Sequence, residues 1–182
     1  MLIKIVTLQD KKRKTEFTIQ EHWAKKAGYH KDLRIKDDKD KWRSWAMRKG
    51  GLPRLEGVKV QAFPTPYHSE LWSHFTGRIP EDVSKKMLGF TPYPEQKIYG
   101  RGYQQVYDKG KAWIVKDTPN ILSIMLKGKK VKGLYHLIRT GKKKDNWIAT
   151  KGSMEYFKKH GVEEPKWLKI KGKSLLNLGE ST

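Results

Sequence analysis

Nearly every apolar segment of this chain is short, alternates apolar with polar positions, and stops at a cluster of Gly, Pro, Asp or Lys. An amphipathic helix needs apolar residues three and four apart over a longer stretch, so the pattern leaves little room for helices and favours antiparallel strands. The segments that read as strands are Leu2 to Leu8, Glu16 to Glu21, Tyr29 to Lys36, Trp42 to Arg48, Gly57 to Thr65, Phe75 to Ile79, Gly102 to Tyr107, Lys111 to Lys116, Ile121 to Leu126, Gly133 to Arg139 and Asn146 to Thr150. Hairpin turns fit Asp37 to Asp40, Asp108 to Gly110 and Lys127 to Lys130, where Gly or Asp takes up turn dihedrals. About ten short strands in one domain make a barrel or a sandwich.

Helical signals are few. Pro80-Glu81-Asp82-Val83 opens like a helix and Gly89 would stop it, Ser153 to Gly161 is a second, and a short turn fits Trp23 to Ala27. Phe90 to Lys97, with two prolines between aromatics, reads as an ordered loop. The expected organisation is one domain over 1–152, with an insertion near 82–98, and a helix-strand appendage and tail over 153–182.

Lys and Arg number 40 against 19 Asp and Glu, a formal charge of +21, spread from Lys11 to Lys173 without a terminal block. Because 36% of residues are hydrophobic and 11% aromatic, this is the charge of a folded surface and not of a basic tail. Nucleic acid is the commonest polyanion for such a surface, and a surface serving solubility alone is the plainer alternative. An anionic membrane would call for an amphipathic helix or lipidation motif, and no run approaches the roughly 18 apolar residues of a membrane span. At the start, the apolar residues precede the basic run, the reverse of a secretory signal. The expectation is a cytoplasmic, nucleoid-associated monomer of prokaryotic or viral type with no membrane partner. Zero Cys excludes disulfides and thiolate chemistry, so any metal must be held by His, Asp or Glu.

Six histidines are present, and the informative stretch is Gln20-Glu21-His22 followed by Tyr29-His30-Lys31-Asp32-Leu33-Arg34-Ile35. On a strand, the two-residue period puts His30, Asp32 and Arg34 on one face and Lys31, Leu33 and Ile35 on the other. Imidazole and carboxylate two residues apart can share one divalent metal, and the guanidinium beyond suits a phosphate oxygen beside it. His22, at the end of the neighbouring strand, is a candidate third ligand. The competing reading is the wet face of an edge strand with a local Asp to Arg ion pair.

Further segments occur in a telling order: Ser44-Trp45-Ala46-Met47-Arg48-Lys49-Gly50, Thr65-Pro66-Tyr67-His68, Phe75-Thr76-Gly77-Arg78-Ile79-Pro80-Glu81, Tyr99-Gly100-Arg101-Gly102 and Val106-Tyr107-Asp108-Lys109-Gly110. With the first two motifs, the series resembles the 3'-phosphoesterase family, a domain of bacterial DNA ligase D with free-standing archaeal and bacterial relatives, over roughly Glu16 to Lys151. The resemblance implies a mainly β chain, an antiparallel closed β-barrel of about eight strands with two or three short flanking helices. It also implies resection of 3'-ribonucleotides or 3'-phosphate from a DNA primer strand with Mn²⁺ or a similar ion such as Zn²⁺ or Co²⁺. The DNA or DNA-RNA primer-template duplex would be the partner, with any ligase or polymerase acting in trans.

On that resemblance His22, His30 and Asp32 match the metal ligands, Arg34 and His68 the phosphate-contacting pair, and Lys49 a lysine near the active site. Gln20 and Glu21 belong to the same strand motif and support it. His68, with an ordinary pKa near 6.5, is the candidate general acid or phosphate donor. The seven tryptophans read mostly as core or barrel-end packing, with Trp72 the best candidate among them to stack on a terminal base or sugar, and Lys142, Lys143 and Lys144 are candidate DNA contacts.

The sequence also departs from the family. Seven residues separate His22 from His30, two more than usual, so the turn at Trp23 to Gly28 must absorb the excess. Trp72 stands where the family has Tyr, Pro66 and Tyr67 where it has Glu and Asp, and Val60 where it has a second arginine. Lys59, adjacent to Val60, would face away on a regular strand and need a bulge to take part. Two function classes remain: a metal-dependent 3'-end phosphoesterase, and a nucleic-acid-binding barrel that has lost turnover.

Overall fold

In the first strand, Phe17 and Ile19 point to one side and Thr18, Gln20 and His22 to the other, and this division organises the whole sheet. The computed structural model describes residues 13–48, 50–80, 85–89, 101–141, 146–153, 169–170 and 173–174. Its main strands are β1 (Arg13–Ala24), β2 (Gly28–Lys36), β3 (Trp42–Met47), β4 (Lys59–His68), β5 (Gly77–Arg78), β6 (Gly102–Asp117), β7 (Ile121–Lys127), β8 (Lys132–Arg139) and β9 (Trp147–Lys151). All nine pair antiparallel in the order β1-β2-β3-β4-β9-β8-β7-β6-β5, and β6 pairs back onto β1. Eight strands therefore form a ring, with β5 added at the edge of β6. The expectation of a mainly β, antiparallel chain holds, and the eight expected strands are those of the ring.

The ring's interior is packed by alternate residues of every strand in it. Phe17, Ile19, Leu33, Ile35, Trp45, Met47, Ile114, Ile124, Leu137 and Trp147 bury there, with Ala62, Ala112 and Ala149 filling the narrow places. Among the described residues helix is confined to α1 (Glu70–Ser73) and α2 (Lys85–Leu88), the latter inside the span expected for a helix between Pro80 and Gly89. β10 (Lys169–Ile170) and β11 (Lys173–Ser174) pair with each other within the expected appendage. The expected strand Leu2 to Leu8, the loop Phe90 to Lys97, most of the 82–98 insertion and the helix after Ser153 lie outside the described residues. Among the described residues no helix is long and apolar enough to cross a membrane.

Two local expectations are corrected. The turn expected at Trp23 to Ala27 is shorter, because β1 continues to Ala24 and Gly28 turns the chain with φ of 74°. Asp108 to Gly110 is not a hairpin: β6 runs straight through it, so the two strands expected on either side are one. The register opposite Ile19 and Gln20 shifts at this point, leaving Tyr107 as the extra residue of a bulge.

Asp108 and Gly110 serve the adjacent β7–β8 turn instead. The buried Asp108 carboxylate accepts from the backbone N–H groups of Lys129, Lys130 and Val131 at 3.0, 2.9 and 2.7 Å, and from Lys109 at 2.9 Å. A side chain at Gly110 would collide with the Lys127 carbonyl, and one at Gly128 with the Asp108 carboxylate and the Phe17 ring. Turn-type residues are thus required here by close packing against a turn contributed by other strands. Asp108→Ala, which strands these donors, is expected to cost about 3 kcal/mol, measured as a lower midpoint in denaturant unfolding, while Asp108→Asn costs less.

Candidate metal centre

Pairing of β1 with β2 places Gln20 opposite Asp32 and His22 opposite His30, on the outward face of the ring. The hairpin accommodates the longer spacing without disturbing this register, so the two imidazoles meet edge to face with centroids 4.7 Å apart. One ligand atom from each of His22, His30 and Asp32 lies within 4.8 Å of the others. His30 Nε2 is 3.5 Å from Asp32 Oδ1, and His22 Nδ1 is 3.9 Å from Asp32 Oδ2. His30 Nδ1 is 3.1 Å from the Gly28 carbonyl, which only accepts, so that bond places the proton on Nδ1 and turns the Nε2 lone pair toward the carboxylate. Two imidazole nitrogens and a carboxylate oxygen, largely buried and oriented this way, fit a Mn²⁺, Zn²⁺ or Co²⁺ ion by donor type.

Arg34 sits behind the triad with only 2% of its surface exposed. Its Nη2 donates to Asp32 Oδ2 at 3.1 Å, its Nε to Ser44 Oγ at 3.3 Å, and its Nη1 to Gln20 Oε1 and the Trp72 carbonyl. Burial pulls its pKa down to about 10 while Asp32 works in the opposite direction, so the guanidinium stays charged at neutral pH. The expected ion pair between Asp32 and Arg34 is therefore present, but buried, as a wall of the site and not as the wet face of an edge strand.

His68 reaches the same face through a bulge. β4 pairs Thr65 with Ser44 but His68 with Trp42, three residues against two, and this extra residue turns His68 to the outward side. Burial first, and then the charge on Arg34, hold its pKa well below the ordinary value, so it is a neutral imidazole at pH 7.

Above His68 lies α1, whose N-cap Ser69 accepts from the Trp72 N–H at 3.1 Å. Trp72 is 4% exposed, stacked between His68 and Phe75 and packed with Ile79 and Leu88. Its ring is thus the filling between α1 and the sheet, which agrees with the packing reading of the tryptophans and leaves no free stacking surface on Trp72. Gln20 ties this cover down, since its Nε2 donates to the Trp72 and Phe75 carbonyls at 2.9 Å each. The Ser69-Glu70-Leu71-Trp72 run carries a capping signal for α1 that the strand pattern obscured.

The remaining site residues separate. Glu21 faces the other side of β1, where it accepts from Tyr29 and Gln105. Lys59 is exposed on the outward side, because the β4–β9 pairing is regular there and Val60 packs against the interior core; no bulge is needed, but three residues separate it from Phe63, in the Asp32 row. Lys49, Lys142, Lys143 and Lys144 lie outside the described residues. One residue went unnoticed in the sequence: Gln104, fully buried and directly opposite His22, has no hydrogen-bond partner for either amide atom among the described residues. A buried amide in that condition is costly unless something completes it, and its place beside His22 is consistent with a ligand-holding pocket.

Comparison with curated proteins finds a similar protein. The chain is similar to LigD. The match is to the multifunctional non-homologous end joining protein LigD of Pseudomonas aeruginosa, 33% identical over 144 residues. It covers 74% of this chain but 15% of LigD, so the chain spans a small part of that protein's length. No family model matches the chain.

The geometry predicts that Mn²⁺ raises the thermal unfolding midpoint, that chelation reverses the rise, and that His30→Ala abolishes it. Asp32→Ala also abolishes it, and in addition lowers the metal-free stability by about 3 kcal/mol or more, because Arg34 is left buried without its carboxylate. Thermal melts with and without chelator separate the two effects.

Proposed function

We propose that the chain is a divalent-metal-dependent phosphoesterase that processes DNA 3' ends in repair, removing a 3'-phosphate or 3'-ribonucleotide from a primer strand. The observation that carries this reading is the gathering of His22, His30 and Asp32 within 4.8 Å beside the buried charge of Arg34. Similarity to part of LigD, a protein named for end joining, supports it. So does the +21 charge, which suits a phosphate backbone. In this reading the ring of strands is the closed β-barrel of the 3'-phosphoesterases, the partner is a primer-template duplex, and any ligase or polymerase acts in trans on a cytoplasmic monomer.

His22, His30 and Asp32 would hold the ion, which when bound supplies Lewis acidity toward a phosphate oxygen and a more acidic bound water. Arg34 orients the Asp32 carboxylate through its Nη2 and contributes fixed positive charge behind the phosphoryl group, a stabilisation that needs no rearrangement during reaction. His68, neutral and buried against Arg34, is suited to donate a hydrogen bond to a phosphate oxygen. Gln20 and the Trp72 carbonyl fix the guanidinium between sheet and cover. A second reading, a nucleic-acid-binding module without turnover, is favoured by Val60, whose packing in the interior leaves the family's second arginine without a counterpart in the simplest register.

Incubating a 3'-phosphate or 3'-ribonucleotide primer-template with the protein and Mn²⁺ tests the enzyme reading. Loss of the terminal group is expected, and its disappearance in His30→Ala and Asp32→Ala. Absence of turnover with every divalent ion, alongside tight salt-sensitive DNA binding, would leave the binding module. Neutralising Lys142, Lys143 and Lys144 to Gln is expected to weaken duplex binding and reduce its salt slope by about one for each lysine that contacts a phosphate, with turnover at saturating DNA retained.

A further inference from the structure

On the side of the strands away from the triad, four neighbouring strands carry an exposed row of side chains. Trp23 on β1 is directly opposite Tyr29 on β2 and Tyr103 on β6, and Tyr103 is directly opposite Arg78 on β5. Directly opposed residues share a face, so the row reads Tyr29, Trp23, Tyr103, Arg78. The Trp23 ring lies 5.3 Å from that of Tyr29 and 5.9 Å from that of Tyr103, centroid to centroid. At about 4.8 Å between strands the row is about 14 Å wide, enough for two or three bases.

These aromatics are 41%, 41% and 43% exposed. Single exposed apolar side chains need no explanation, whereas three in contact are a surface with a use. The row is also held rigid. Tyr29 donates to Glu21 Oε1 at 2.8 Å, and Gln105 Nε2 donates to Glu21 Oε2 at 2.7 Å, so the carboxylate anchors both neighbours. Around it lie Arg78 and the exposed Lys25 and Lys26 of the hairpin tip. An apolar protein partner would meet an apolar rim. A basic rim on a chain of +21 calls for a partner that combines flat apolar faces with negative charge.

We infer that the Tyr29, Trp23, Tyr103 and Arg78 row is a stacking platform for unpaired bases of a single nucleic-acid strand, with the basic rim taking its phosphates. The platform begins one residue along the chain from each histidine of the triad but on the opposite face of the strands, so it acts as a site separate from the metal centre and independent of turnover there.

Binding of labelled oligothymidylate and oligouridylate of about twelve nucleotides, measured in chelator so that the triad plays no part, tests this. Trp23→Ala and Tyr103→Ala are each expected to weaken single-strand binding about tenfold or more, Trp23→Phe to retain most of it, and Arg78→Gln to lower its salt slope. Binding to a blunt duplex is expected to stay within about twofold for the same variants, since stacked bases offer no free face. Thermal melts confirm folding, and if Trp23→Ala does not fold, Tyr103→Ala decides. Unchanged single-strand affinity in a folded Tyr103→Ala protein overturns the inference, as does an equal loss on single strand and blunt duplex. A preference between the two oligomers assigns DNA or RNA as the strand. Failure of the phosphoesterase reading would show separately, as absent turnover with single-strand binding intact.

Discussion

Phe17 lies opposite Ile35 and Ile19 opposite Leu33, and all four side chains bury inside the ring of strands. This apolar pairing pins the β1–β2 register, and everything on the outward face depends on it. A slip of β2 by one residue would turn Leu33 and Ile35 to the outside and drive Asp32 and Arg34 into the core. The cost of that exchange holds His22 against His30 and Gln20 against Asp32. The His22, His30 and Asp32 triad is thus positioned by the hydrophobic core on the other side of the same two strands.

The second dependence is electrostatic. Arg34 and Asp32 are both buried, and a pair of this kind gains little in stability over an apolar pair but is costly to break. Its value lies in what the two groups fix: Asp32 is aimed at the histidines, and the guanidinium joins the sheet to the cover through Gln20 and the Trp72 carbonyl. Neutral His68, stacked on Trp72, is part of the same assembly. The cover and the triad are therefore one unit.

Much of this was legible in the residues. Alternation in Tyr29 to Lys36 is sufficient to put His30, Asp32 and Arg34 on one face, and the hairpin at Asp37 to Asp40 is where its residues ask for it. Asp108 to Gly110 misled because Asp and Gly mark both a turn and a close approach to one, and only the tertiary pairing distinguishes them. Trp72 reads either as packing or as a stacking ring, and what decides for packing is its place between His68 and Phe75 under α1, which a single aromatic without periodicity does not reveal. The depressed pKa of His68 and the stranded amide of Gln104 depend on burial created by a bulge and by distant strands, which no local pattern records. The aromatic row was invisible for the same reason: Tyr29, Trp23, Tyr103 and Arg78 come together only through the pairings of β2, β1, β6 and β5.

The central claim is that the β1–β2 register builds a divalent metal centre from His22, His30 and Asp32. Anomalous diffraction from crystals grown with Mn²⁺ tests it most directly. One ion bound to a nitrogen of each histidine and an oxygen of Asp32, at about 2.0–2.3 Å, is expected. An ion bound elsewhere, or no anomalous peak at the triad with the metal at saturating concentration, would contradict it.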